Sequence, residues 1–133
     1  MKKRAMFIGR WQPLHRGHEW LISQKLDEGT PCLVAIRDIP PDEKNPLTAE
    51  EVRKILLRRY EDHDVQVIII PDIESINWGR GVGYETNEHL PPADIGYVSA
   101  TEIRTKHAAG DESWKNVVDA SVQELVLEYL SKD

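Results

Sequence analysis

Apolar and polar positions alternate along the chain in blocks of clear period. Met6-Phe7-Ile8 is a short apolar run that stops at Gly9, as a buried strand does on entering a turn. In residues 17–26, Trp20, Leu21 and Leu26 recur at helical spacing, and Gly29-Thr30-Pro31 ends that helix. Residues 32–36 read as a second buried strand. Residues 37–46 hold three prolines and five charges and form a loop. Thr48 is a good N-cap, and Glu51 completes a capping box for a helix that buries Val52, Ile55, Leu56 and Tyr60. Residues 65–70 are rich in β-branched side chains and form a third strand, closed by Pro71. Residues 72–92 have no period and contain Gly79, Gly81 and Gly83, then Pro91-Pro92. A short fourth strand is expected at 95–98 and a short helix at 101–109, ended by Gly110. Ser113 opens a last helix whose apolar face is Val117, Val118, Val122, Leu125, Val126, Tyr129 and Leu130.

Strands that are continuously apolar and alternate with helices imply parallel pairing with both sheet faces covered. The expected fold is therefore α/β, a Rossmann-like doubly wound parallel sheet in a single small domain spanning 1–133. Such sheets bind ligands at the carboxyl ends of their strands.

Composition narrows the function. The net charge of −6 argues against a general nucleic-acid binder, which would carry a basic face, but allows a local cationic nucleotide site. No apolar run approaches the ~18 residues that span a bilayer. The basic start Met1-Lys2-Lys3-Arg4 is followed by too short an apolar stretch for an export signal. A cytoplasmic protein without membrane or nucleic-acid partners is expected; its oligomeric state is left open. The single cysteine, Cys32, lies in an apolar run and reads as a buried, inert thiol.

The chemistry concentrates in two segments. Gly9-Arg10-Trp11-Gln12-Pro13-Leu14-His15-Arg16-Gly17-His18 lies between the first strand and the first helix. Gly9 permits a tight turn, and the helix opening near Gly17 offers free N–H groups and a positive dipole end to an anion. His15 and His18, three apart at a helix start, can face the same phosphate and donate to its oxygens. As a metal pair they lack the further ligands that zinc requires. Ser99, Thr101 and Arg104 form the second segment, again between a strand and a helix. Two hydroxyls at the cap and a guanidinium one turn later can hold an anion, although alone they read as an N-cap with a surface arginine.

His15-Arg16-Gly17-His18, just after a strand and opening a helix, resembles the H-x-G-H signature of the nucleotidyltransferase superfamily. The whole string from Gly9 to His18 is similar to the nicotinamide mononucleotide adenylyltransferase version, in which Phe is usual where Trp11 stands. Val98-Ser99-Ala100-Thr101-Glu102-Ile103-Arg104 resembles the superfamily's I-S-x-T-x-I-R. The resemblance implies that His15, Ser99, Thr101 and Arg104 hold the β- and γ-phosphates of a nucleoside triphosphate and that His18 stabilises the α-phosphate during transfer. Gly9, Arg10, Gln12 and Gly17 follow as nucleotide contacts. Asn45-Pro46-Leu47-Thr48 resembles a third family segment, whose arginine falls at Val52, beside Arg53. Lys44 and Arg37, at the carboxyl edge of the sheet, can each close over the triphosphate or remain solvated loop charges. Ile70-Pro71-Asp72-Ile73, followed by Asn77-Trp78, is similar to the adenylyltransferase stretch whose tryptophan stacks on the acceptor; Trp78 and Arg80 are the candidate acceptor contacts. Trp11 and Trp20 are expected in or near the core.

The implied reaction moves a nucleoside monophosphate, AMP from ATP in preference to CMP from CTP, onto a phosphorylated small-molecule acceptor. Pyrophosphate leaves, and Mg²⁺ accompanies the phosphates. The alternatives are a cytidylyltransferase acting on a polyol or sugar phosphate and a nucleotide-binding module without turnover. The resemblance breaks down between 81 and 92, where the longer adenylyltransferases hold an additional strand and helix.

Overall fold

The computed structural model describes residues 2–132. Three strands, β1 (Ala5–Gly9), β2 (Cys32–Asp38) and β3 (Val65–Pro71), pair in parallel in the order β1-β2-β3. Helices α1 (Arg16–Leu26) and α2 (Ala49–Arg59) form the crossovers. The result is a three-stranded parallel sheet flanked by helices, a Rossmann-like α/β fold. β2 is the central strand, and Cys32, Val34, Ala35 and Ile36 on it are fully buried. β1 and β3 are edge strands, so Met6 and Ile69 remain exposed although both belong to apolar runs.

Thr48 and Glu51 form the expected reciprocal cap at the start of α2. Val52, Ile55, Leu56 and Tyr60 are buried, as their spacing requires. In α1 the fully buried residue is Ile22. Cys32 is buried, and its thiol reaches the Thr30 carbonyl.

Two expected elements differ. Residues 95–98 are not a strand: α3 (Ala93–Gly96) is a single helical turn, with the amides of Ile95 and Gly96 both donating to the Pro92 carbonyl. Pro91-Pro92 fixes φ near helical values at the point where a helix tolerates missing amides, and so starts a turn. The continuous C-terminal helix from Ser113 is also absent. A 3₁₀ turn at Glu112–Val117 is followed by extended Val118, a second 3₁₀ turn at Ala120–Val122, and α5 (Gln123–Leu130). Asp111 and Asp119 each accept from an amide two residues on, so each starts a new turn. The Gln123 side chain donates to the carbonyls of Lys115 and Val118 and satisfies the break. The apolar stripe still reaches the core, with Val118, Val122 and Val126 buried. Between these regions, α4 (Ala100–Ala108) forms where a helix was expected.

Candidate active site

The turn after β1 is held by packing rather than by a glycine alone. Trp11 adopts φ +55, a costly conformation for a bulky residue. Its indole N–H donates to the Ala35 carbonyl at 3.2 Å, and a Cβ on Gly9 would meet its ring at 3.0 Å. Gly9 is thus required by the approach of Trp11. Gln12 is buried, and its amide is fully engaged with Leu47, donating to its carbonyl and accepting from its amide, each at 2.9 Å. This joins the β1–α1 turn to the loop before α2. Asp42 organises that loop by accepting from the amides of Lys44 and Asn45 and from the Asn45 side chain.

At the start of α1 the two histidines cap the helix together. His15 Nδ1 accepts from the amides of Gly17 and His18, at 3.0 and 3.4 Å, while His18 Nδ1 accepts from the His15 amide at 3.3 Å. The rings stack with centroids 3.7 Å apart and planes 16° apart. Accepting at Nδ1 places the proton of each neutral imidazole on Nε2. Burial pushes the pKa of His15 down to about 4. Burial, with His15 adding its repulsion, pushes that of His18 to about 3. Two neutral N–H donors therefore stand side by side. The backbone donors expected to be free at this helix start are occupied by the His15 ring, which leaves its Nε2–H as the donor. Gly17 is needed for the same reason: a Cβ there would lie 2.9 Å from His15 Cε1.

The second segment meets the first through Arg104, which donates to the Gln12 carbonyl at 2.8 Å and to Thr101 Oγ1 at 3.4 Å. Ser99 caps α4 by accepting from the Glu102 amide. Both hydroxyls act only as acceptors in these bonds and keep their O–H groups to donate. Among the described residues, Arg104, Arg10 and Lys44 have no carboxylate partner, whereas Arg37 pairs with Asp72 and Arg53 with Glu50. Cations without carboxylate partners and neutral N–H and O–H donors, at the carboxyl end of a parallel sheet, are groups that can hold an anion. A cavity of about 230 Å³ opens beside it, between α1 and the segment leading to α4. His15, Gly17, Trp20, Leu21, Ile95 and Val98 contribute to its walls.

The cytidylyltransferase-like family model matches residues 6–129. The chain belongs to the cytidylyltransferase-like family. It is 28% identical to the nicotinamide-nucleotide adenylyltransferase of Ignicoccus hospitalis, over 94% of this chain and 91% of that protein. It is 30% identical to the protein of the same name from Thermococcus kodakarensis, over 96% and 84%. The Pyrococcus horikoshii protein, also so named, is 30% identical over 94% and 83%. This cytidylyltransferase-like chain is accordingly a nucleotidyltransferase. The first two matches run over 157 and 164 positions, longer than its own 133 residues, so the relatives hold chain that it lacks.

Within this cytidylyltransferase-like fold, the histidines, Ser99, Thr101 and Arg104 come together. Trp78 and Arg80 do not join them. They lie on an irregular exposed segment, with Trp78 61% exposed. Trp11 is in the core, whereas Trp20 lines the cavity. Sequence reasoning missed His89, which also lines the cavity, because a lone histidine in an aperiodic stretch carries no pattern. The side chain of Gln12, a candidate nucleotide contact, is engaged by the Leu47 backbone.

Proposed function

We propose that this enzyme moves AMP from ATP to nicotinamide mononucleotide and releases pyrophosphate. The observation that carries the proposal is the stacked pair of histidines, whose Nδ1 atoms are engaged by backbone so that the N–H of each neutral ring lies on Nε2, together with Arg104, which has no carboxylate partner and binds the same turn through the Gln12 carbonyl. The names of the curated relatives favour the adenylyl group and the nicotinamide acceptor. The acceptor phosphate, ionised at neutral pH, attacks the α-phosphorus, and the bond to the β-phosphate oxygen breaks in line. No general base is required. His18 Nε2–H stabilises the α-phosphate oxygens as charge builds on them. His15, Ser99, Thr101 and Arg104, aided by Arg10 and Lys44, hold the β- and γ-phosphates. The apolar cavity beside His15 suits the flat adenine base. Trp78 and Arg80 are the proposed contacts to the acceptor.

Among the described residues, no group of three or more His, Cys, Asp or Glu side chains is placed to hold a metal ion. The donors present fit a Mg²⁺ carried by the triphosphate through phosphate oxygens and water. Such an ion would neutralise charge on the departing pyrophosphate. Among the described residues, no helix is long and apolar enough to cross a membrane. A cytoplasmic location accords with one buried, unpaired thiol.

Pyrophosphate release tests the proposal, with ATP and CTP each run against nicotinamide mononucleotide, glycerol phosphate and a sugar phosphate. Turnover is expected with ATP and nicotinamide mononucleotide. Turnover only with CTP and a polyol or sugar phosphate overturns it in favour of a cytidylyltransferase.

A further inference from the structure

We propose that His89 is the residue by which this enzyme selects the base of its nucleoside triphosphate. The inference rests on the adenylyl-transfer reading and adds a specificity-determining side chain to it. From residue 74 to 94 every residue is exposed except His89, which is half-buried. It is withdrawn from water because it lines the cavity that His15 and Gly17 also line. Its position is set by short, stiff covalent geometry. One residue separates it from Pro91-Pro92, whose fixed φ leads directly into α3, and α3 packs against α1. The irregular segment therefore delivers one side chain to the cavity mouth while its neighbours, such as Leu90, point to solvent.

The chemistry of the walls singles out this residue. Among the side chains that line the cavity, those of Leu21, Pro91, Ile95 and Val98 offer only apolar surface. Trp20 adds a lone N–H donor. His15 has Nδ1 occupied by backbone amides, and its Nε2–H is the donor proposed above for phosphate. His89 makes no hydrogen bond among the described residues, so both its nitrogens are available. A neutral imidazole supplies one donor and one acceptor and can match a base edge that presents the complementary pair. A base placed here stays within reach of phosphates held by His15, because both sites share that ring. A polar group that must pair with the right base rejects a wrong one more strongly than apolar walls do.

The test compares wild type with His89→Ala, His89→Gln and His89→Phe, using ATP, GTP and CTP as donors and inorganic triphosphate as inhibitor. His89→Ala is expected to raise the KM for ATP about tenfold while kcat changes less than about twofold, and to narrow the preference for ATP over GTP and CTP. Inhibition by inorganic triphosphate should be unchanged, because the phosphate donors remain. His89→Gln, which keeps a donor and an acceptor, should recover discrimination, and His89→Phe should not. An unchanged preference among the three triphosphates in His89→Ala overturns the inference, as does weaker triphosphate inhibition or a fall confined to kcat. A wild-type enzyme that fails to use ATP instead overturns the adenylyl reading itself, so the two failures are distinguishable.

Discussion

His15 and His18 exchange hydrogen bonds between ring and backbone while their rings stack 3.7 Å apart. One pair of side chains therefore both starts α1 and leaves two Nε2–H groups as donors. The two roles can be separated by substitution.

His15→Ser keeps an N-cap acceptor but removes the Nε2–H. Thermal stability should stay close to wild type, while kcat falls by about 10²–10³-fold, because the β-phosphate that His15 holds gains charge as pyrophosphate departs. His15→Ala should lose the same activity and about 1 kcal/mol of stability besides. Calorimetric melting and steady-state kinetics on both variants check this. A His15→Ser enzyme with wild-type kcat refutes the donor role.

The histidines also set a pH dependence. Their folded pKa values, about 4 and about 3, lie below the ordinary value near 6.5. The unfolded chain therefore takes up protons first as pH falls. Their contribution is intact above about pH 6.5 and is lost progressively below it, as the unfolded rings take up protons that the folded pair excludes. Urea unfolding at pH 7 and pH 5 should show a drop of a few kcal/mol. That drop should shrink in a His15→Ser, His18→Gln double variant. In nuclear magnetic resonance neither ring should titrate between pH 8 and pH 5 in the free enzyme.

Gly17→Ala tests how closely the His15 ring is held. Alanine favours a helix, yet its Cβ would stand 2.9 Å from His15 Cε1, and the ring is buried against His18. The ring must shift, and Nε2 with it. Melting should change by only a few degrees while kcat falls at least about tenfold, the scale of loss when a catalytic donor is misplaced. Unimpaired kinetics would show that the ring has room to move.

Arg104→Lys should not restore what Arg104→Ala removes. A lysine cannot donate to the Gln12 carbonyl and Thr101 and still present a planar fork to phosphate. ATP affinity measured by calorimetry should weaken about 10–100-fold in both variants, the range for losing charge-assisted hydrogen bonds. Cys32→Ser should cost stability, since the thiol is buried in the sheet, but leave ATP affinity unchanged.

The sequence by itself determined the elements whose signal is local. The cap at Thr48, the β-branched strand at 65–70 and the stripe of Val52, Ile55 and Leu56 depend on neighbours within one turn or one strand, so spacing suffices to find them. The two helix starts that hold the candidate site residues were legible too, because His15 and Ser99 cap their own helices through amides two or three positions on. Tertiary structure alone decided what depends on residues far apart. The Gln12 amide finds its partners on Leu47, 35 positions away, and Arg104 reaches the Gln12 carbonyl across 92. The break in the C-terminal helix follows from side chains competing for backbone amides at Asp111 and Asp119, which an apolar stripe does not record. His89 enters the cavity only because α3 docks on α1. Local spacing encodes which element forms; which buried polar group finds a partner is settled only when the chain has closed on itself.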